Sequence, residues 1–431
     1  GEMTESAKTI TSTSPAIKQM SYTTKYTWDS MGRLHRLVYP DGEILDYSYD
    51  NGGLLKKAVG TVWSGAISRA EGTTEYVKDI QYDEFGQRTK MTLGNGTVTT
   101  YAYDEKTRRL TNLKTVGSDS TVWQNLSYKY DDVGNITKIN NEDYITCDAK
   151  AKTTTHHYTY DDLDRLVEAN GSYSHETWVP FYTDRINSYT SELTYDSIGN
   201  ILTKTQKNVG TYTDGTTKTL DDTTYDWAYK YTSTRPHAVT QMGALSYTYD
   251  PSGNMTMKTD SGTGKKTLFT WNEENRLTKT VTSDDNATTT YRYDDTGTRI
   301  AKKGANGETI YVNTNYSIKD EQLESTHIFA GQTRVATKLT MLTTSTTTTD
   351  MGVYYYHPDH IGSASTVTDK SGKFTEHCEY FPYGEVWISE SASTNITSLL
   401  PFKFTSKELD AETGLYYYGA RYMDPRLGRF V

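Results

Sequence analysis

With 431 residues the chain has length for two or three domains, or for one uninterrupted β-repeat. Only 34% of its residues are hydrophobic, yet 37 are Tyr against 9 Phe, which suits a two-faced sheet whose rings are buried while their hydroxyls keep polar neighbours, and argues against a disordered chain. A formal charge of -10 without a basic run disfavours a nucleic-acid partner, the two distant cysteines Cys147 and Cys378 read as buried or unpaired thiols rather than a disulfide framework or zinc site, and no apolar stretch approaches the ~18 residues of a membrane span.

Residues 1–20 read as a lead-in, and Gly1-Glu2-Met3 has the character of a cloning remnant rather than a signal peptide, so the natural start is expected upstream. From residue 21 to 340 one phrase recurs: aromatic, any residue, aromatic, Asp, two residues, often Gly, then a polar and an aliphatic residue. It runs Tyr26-Thr27-Trp28-Asp29 with Gly32, Tyr47-Ser48-Tyr49-Asp50 with Gly53, and Ile80-Gln81-Tyr82-Asp83 with Gly86. Tyr101 to Asp104, Tyr128 to Asp131 with Gly134, and Tyr158 to Asp161 follow. Further copies are Leu193 to Asp196 with Gly199, Tyr247 to Asp250 with Gly253, and Tyr291 to Asp294 with Gly297; in Phe269-Thr270-Trp271-Asn272 the Asp is replaced by Asn.

Counting Asn272, the acidic positions are spaced 21, 33, 21, 27, 30, 35, 54, 22 and 22 residues apart, a floor that matches one hairpin. Aromatics at i and i+2 share one strand face, Asp starts a turn by accepting from nearby amides, and Gly three residues later can take positive φ. Each phrase therefore reads as strand, tight turn, strand. Tyr39-Pro40-Asp41-Gly42 and Gly94-Asn95-Gly96 supply return bends, and loops or extra hairpins are expected around Asn170 to Asp184 and Asn208 to Asp222. Because one hairpin is marginal in water, stability must accumulate over neighbouring copies, and the open edges need capping.

Thr-rich residues 341–353, centred on Thr343 to Thr349, read as a mobile loop. The terminal segment, 354–431, differs in character. It carries Tyr354-Tyr355-Tyr356-His357-Pro358-Asp359-His360-Ile361-Gly362-Ser363, the turn Tyr383-Gly384-Glu385, and a long ordered run. That run is Glu412-Thr413-Gly414-Leu415-Tyr416-Tyr417-Tyr418-Gly419-Ala420-Arg421-Tyr422-Met423-Asp424-Pro425-Arg426-Leu427-Gly428-Arg429-Phe430.

These residues resemble the YD repeats of bacterial Rhs proteins, and the last ~75 residues resemble the Rhs repeat-associated core. The family's His-Pro-His-Ala-Val-Thr phrase opens here with Arg, as Arg235-Pro236-His237-Ala238-Val239-Thr240. Teneurins and the shell components of insecticidal toxin complexes are related. The resemblance implies an all-β spiral of antiparallel hairpins forming part of a hollow shell, in a bacterial protein secreted or displayed at the cell surface. It implies a C-terminal toxin or effector polypeptide as partner, enclosed by the shell and freed by aspartyl autoproteolysis. The cut lies beyond the phrase that comes after Gly428-Arg429-Phe430, so none of the carboxylates of this chain is assigned to it and the chain is expected not to be an enzyme as it stands.

Turn and core chemistry compete with several functional readings. The repeated Asp residues lack the D-x-D-x-D spacing of a calcium loop and read as turn caps. His357, Asp359 and His360 have ligand-like spacing, as does the pair His156-His157, but zinc needs three or four converging ligands, and a structural corner is the preferred reading. Tyr416 to Tyr418 suits either a glycan-stacking platform, the basis of an alternative adhesion function, or a core strand, which is preferred. Asp424-Pro425 reads as a turn. No cofactor motif is present.

Overall fold

A computed structural model describes residues 2–14, 17–62, 72–146, 151–175, 185–212, 214–284, 286–343 and 348–431. The all-β expectation holds: the described residues form one antiparallel ladder of 32 strands and a second sheet of four. Helix is confined among them to one turn at Thr394–Thr397 and two short 3-10 segments. Strands pair with the next strand in the chain, from Glu5–Ser12 on Lys18–Trp28 through to Phe374–Tyr380 on Val386–Ser391. Thr217–Thr219 departs from this order; it hangs on the end of Ile201–Tyr212, and Tyr225–Lys230 takes the next place in the ladder.

The repeated phrase makes one turn many times over. In the first copy the Asp29 amide donates to Arg33 O at 2.9 Å and the Gly32 amide returns to Asp29 O at 3.0 Å. The Asp29 carboxylate accepts from the Met31 and Arg33 amides at 2.9 and 3.0 Å, and from the Arg33 guanidinium at 2.7 Å. The same backbone closure recurs at Asp50, Asp83, Asp161, Asp196, Asp250, Asn272 and Asp294; at Asp131 the Asp amide donates to Asn135 O as before, but the Gly134 amide donates to the Asp131 carboxylate at 2.7 Å. Gly32, Gly53, Gly86, Gly134, Gly199, Gly253 and Gly297 all sit at positive φ, where a Cβ is unfavourable. Asp164 and Asn275 fill that position without glycine, and the Asp104 turn is one residue longer, with Arg108 left-handed. Short polar residues tolerate αL best, which explains the first two substitutes.

Immediately before each Asp the ladder carries a β-bulge, as between Thr27 and Trp28, Ser48 and Tyr49, or Thr248 and Tyr249. A bulge interrupts the regular ladder and exposes backbone groups that need other partners. The second aromatic of the following copy supplies one. Tyr49 OH donates to Leu34 O, Tyr82 to Leu55 O, Tyr103 to Arg88 O, Tyr130 to Leu110 O and Tyr160 to Ile136 O, all within 2.7 to 3.0 Å. Tyr195, Tyr231, Tyr293 and the indole of Trp271 continue the series. Each accepting carbonyl belongs to the residue paired with the previous copy's second aromatic. The excess of Tyr over Phe thus has a geometric cause: the phenol is a rung between consecutive hairpins.

The ladder curls until distant copies meet. Lys8 reaches Asp294 at 2.8 Å across 286 residues of sequence, and Lys338 reaches Glu43 at 2.7 Å across 295. Tyr39, in one return bend, donates to His327 O, and Asn95, in the other, donates to Thr368 Oγ1. Early strands such as Ala151–Tyr160 alternate buried and exposed positions, one face wet. By contrast all five residues of Ala364–Thr368, and the five central residues of Phe374–Tyr380, are buried. The later strands therefore run inside the curl of the earlier ones. Trp387 and Phe381 pack there against Tyr144, Tyr173 and Tyr189.

The sequence reading needs correction at the Thr-rich stretch. Residues 341–342 end the strand Thr333–Leu342, and residues 348–353 begin the strand Thr348–Pro358, which pair with each other, so any loop is far shorter than 341–353; residues 344–347 lie outside the described residues. Thr is a β-branched strand former, and the low complexity of the stretch hid that. Of the loops or extra hairpins expected around Asn170 to Asp184 and Asn208 to Asp222, the described residues show hairpin strands, Leu166–His175 with Arg185–Tyr195 and Ile201–Tyr212 with Thr217–Thr219; residues 176–184 and 213 lie outside the described residues. Cys378 is a buried free thiol, its pKa pushed up to about 12 by burial; Cys147 lies outside the described residues.

Candidate functional site

The terminal segment forms the four-stranded sheet Glu408–Asp410, Leu415–Tyr417, Tyr422–Asp424 and Arg429–Phe430. Leu415, Tyr422 and Leu427 pack into a core with Leu193, Tyr229, Tyr247 and Tyr291 from the repeats, so this sheet fills the inside of the curl. Tyr416 is fully buried and donates to Gly384 O at 2.9 Å. A sugar has no access to that ring, which removes it from any glycan platform.

A buried charge network joins this sheet to the wall. Arg299, 2% exposed, donates to Asp410 at 2.7 Å and Glu408 at 2.9 Å; Lys302 donates to Asp410 at 3.0 Å and Glu412 at 3.3 Å. Tyr311 OH adds a bond to Glu408 at 2.6 Å, and the Arg299 guanidinium lies 4.0 Å from the Tyr417 ring centre. Burial raises both carboxyl pKa values; at Glu408 the two cations outweigh it and hold the group below its ordinary value, while at Asp410 burial wins. Two cations facing three carboxylates, with hydrogen bonds to most of the oxygens, make a clamp of the kind that is costly to break one partner at a time.

A second tie lies at the end of the chain. Asp424 accepts from Lys258 at 3.0 Å and from the Arg426 and Leu427 amides, and the Gly428 amide closes the turn onto Asp424 O. Burial pushes the Asp424 carboxyl up, but Lys258 and the amides prevail and keep it below its ordinary value. Pro425 is buried in this turn. Arg429 donates to His237 O at 2.7 Å and to Asn200 at 3.1 Å, which gives the Arg235 to Thr240 phrase a bracing role. Arg421 covers the Phe430 ring at 4.1 Å, and Gly414, Gly419 and Gly428 take positive φ in the connecting turns.

The histidine motif is another copy of the repeat turn. Asp359 accepts from the Ile361 and Ser363 amides at 3.0 and 2.7 Å, its amide donates to Ser363 O, and Gly362 is left-handed. His357 shares a 2.8 Å bond with Thr368 Oγ1, and burial drops its pKa to about 3; His360 meets the Tyr128 ring edge-on at 4.9 Å. The three side chains are each engaged elsewhere. His156 points inward to Tyr189 and Glu379 whereas His157 is exposed, as neighbours on a strand must be. Among the described residues no group of three or more His, Cys, Asp or Glu is placed to hold a metal.

Two cavities flank the 358–362 turn, of about 1160 and 500 Å³, and Asp359, His360 and Ile361 line both. The larger is walled by Tyr47, Tyr82 and Tyr101 of the early repeats, by His327, Phe329 and Arg334 of the later strands, and by Phe402 and Glu408 of the terminal segment.

A family model described as "Teneurin YD-shell" matches residues 2–280 and 214–431. Toxin subunit YenC1 of Yersinia entomophaga is 26% identical over 440 residues, covering 94% of this chain and 42% of the relative. The tRNA nuclease WapA of Bacillus subtilis is 30% identical over 251 residues, 56% of this chain but 9% of WapA. In the Photorhabdus luminescens Tc holotoxin pore a chain superposes with TM-score 0.80 at 23% identity, over 99% of this chain and 21% of that one. The TcdB2–TccC3–TEV crystal structure gives 0.78 at 23%, over 99% and 22%. This chain thus spans less than half the length of the YenC relative, and about a fifth of the solved chains.

Proposed function

The chain belongs to the Teneurin YD-shell family, and from that premise we propose that its YD-shell scaffold is the wall and closure of a shell enclosing a C-terminal effector polypeptide in a secreted toxin protein. The observation that carries this reading is the reversal of layers: the repeats make an outer wall, and the terminal segment lies inside it, clamped by Arg299, Lys302 and Lys258. A chain led inward in this way delivers polypeptide beyond Val431 to the protected side. The cavity of about 1160 Å³ is far below the order of 10,000 Å³ filled by a 100-residue domain with a ~13 Å radius of gyration, so the hold itself needs additional shell polypeptide. That requirement agrees with the share of the relatives this chain spans. The clamp carboxylates are committed to cations and amides, which suits a structural role for these residues; release chemistry and the effector's own activity belong to the rest of the protein.

Limited proteolysis of the natural full-length protein, read by mass spectrometry, tests the proposal. The polypeptide beyond Val431 should survive until the wall itself is opened by denaturant. Its digestion while every repeat remains intact would overturn the reading.

A further inference from the structure

Arg334 stands on the strand Thr333–Leu342, opposite Phe329 across a bulge, and is 6% exposed. Its guanidinium lies 3.5 Å from the Phe402 ring centre and 4.8 Å from that of Phe329. Its Nε and Nη1 have no hydrogen-bond partner among the described residues, and no carboxylate there pairs with it. Glu408, the carboxylate whose charge acts on Arg334, is committed to Arg299, Lys302 and Tyr311. His327, beside it, is kept neutral by burial and by Arg334 itself. Two ring faces offset only part of the cost of removing a full charge from water. A buried full charge with unpartnered donors and no counter-ion among the described residues is an incomplete interaction.

The missing half has room. Arg334 lines the larger cavity, whose volume of about 1160 Å³ exceeds what a small organic molecule needs. Exposed Gly86, Gly331, Gln332 and Gly419 line the same cavity and give it a mouth. Arg88, which also lines the cavity, makes a long 3.4 Å contact to Ala330 O and has no ion pair among the described residues, so a second cation borders the space. Tyr82, Tyr101 and Tyr103 surround it with aromatic surface.

We propose that this cavity is a binding site for a carboxylate carried on an aromatic or aliphatic body, with Arg334, held between Phe329 and Phe402, as its cationic anchor. The edge of the guanidinium that meets the cavity supplies the charge that pairs with the carboxylate, and the tyrosine walls cover the apolar body. The carboxylate can arrive on a free organic acid or on the end of an enclosed polypeptide.

Calorimetric titration of the 431-residue chain with 3-phenylpropionate, its neutral amide, and the tripeptide Ala-Ala-Phe with a free or amidated end distinguishes these. The acids should bind at least about tenfold more tightly than their amides, since a charge-assisted contact is at stake. Tighter binding of the tripeptide acid than of 3-phenylpropionate identifies a polypeptide source, and the reverse order a free acid. Arg334→Met should abolish the acid preference, and Arg334→Lys should keep a weakened one. Equal affinities for acid and amide on the unaltered chain, or a preference that survives in Arg334→Met, would overturn the site; the acid–amide comparison needs no variant to fold.

Discussion

Two tyrosines two residues apart in one hairpin should respond oppositely to loss of their hydroxyl. Tyr249 OH donates to Val239 O at 2.8 Å, whereas Tyr247, 3% exposed, has a hydroxyl with no partner among the described residues. Removing a donor that satisfies a carbonyl costs about 0.5–1.5 kcal/mol, and more where the carbonyl is left dry. Removing an unpaired buried hydroxyl relieves a desolvation cost and is neutral or stabilising by up to about 1 kcal/mol. Tyr249→Phe should therefore lower the urea midpoint and Tyr247→Phe should hold or raise it. Because rungs in separate copies are independent, the triple change Tyr82→Phe, Tyr130→Phe, Tyr249→Phe should sum to roughly 3 kcal/mol. Urea unfolding followed by tyrosine fluorescence reads each difference. Equal responses of Tyr247 and Tyr249 would refute the rung as the reason for tyrosine at the second aromatic position.

Other perturbations act on the same kinds of contact. Arg299→Met strands Asp410 and Glu408, both buried, and should cost about 3–5 kcal/mol, with amides of 408–430 losing hydrogen-exchange protection first; replacing Arg299, Glu408 and Asp410 together by apolar residues should recover much of it. A loss below about 1 kcal/mol would show that the clamp does not hold the terminal sheet. His357 has a folded pKa near 3 against 6.5, so the unfolded chain binds its proton first as pH falls: its stabilisation is complete above pH 6.5 and is lost progressively toward pH 3, on the order of 4 kcal/mol. His357→Gln should flatten that limb of the stability profile measured by thermal unfolding. Gly199, at φ 85° with open space around it, should cost about 1–2 kcal/mol on replacement by Ala through backbone strain alone, seen as a lower melting temperature with unchanged spectra.

The turn phrase was legible because all its parts lie within nine residues: Asp29 to Leu34 hold both the donors and the acceptor. Copies that lost one part were not. The 54-residue gap between Asp196 and Asp250 hides Tyr229-Lys230-Tyr231, whose rung to Ile201 O is intact although Thr232 replaces Asp. Asp359 and Asp369 make the full turn without a second aromatic, and the signal that finds them is Asp with Gly three residues on. The clamp was illegible for a different reason: Arg299 and Asp410 are 111 residues apart, and only the curl makes them neighbours. Arg334 reads in sequence as an ordinary alternating strand residue, and its isolation appears only once Phe402 is seen to close over it. Local chemistry is written in the repeat, whereas layering depends on accumulated twist, which no single copy encodes.

Zero-length carbodiimide crosslinking with peptide mapping tests the curl most directly. Lys8 to Asp294, Lys338 to Glu43 and Lys302 to Asp410 should appear as intramolecular crosslinks in the folded chain and vanish in urea. Crosslinks confined to neighbouring strands of the ladder, with none of these three, would contradict an outer wall closed around an inward-turned terminal segment.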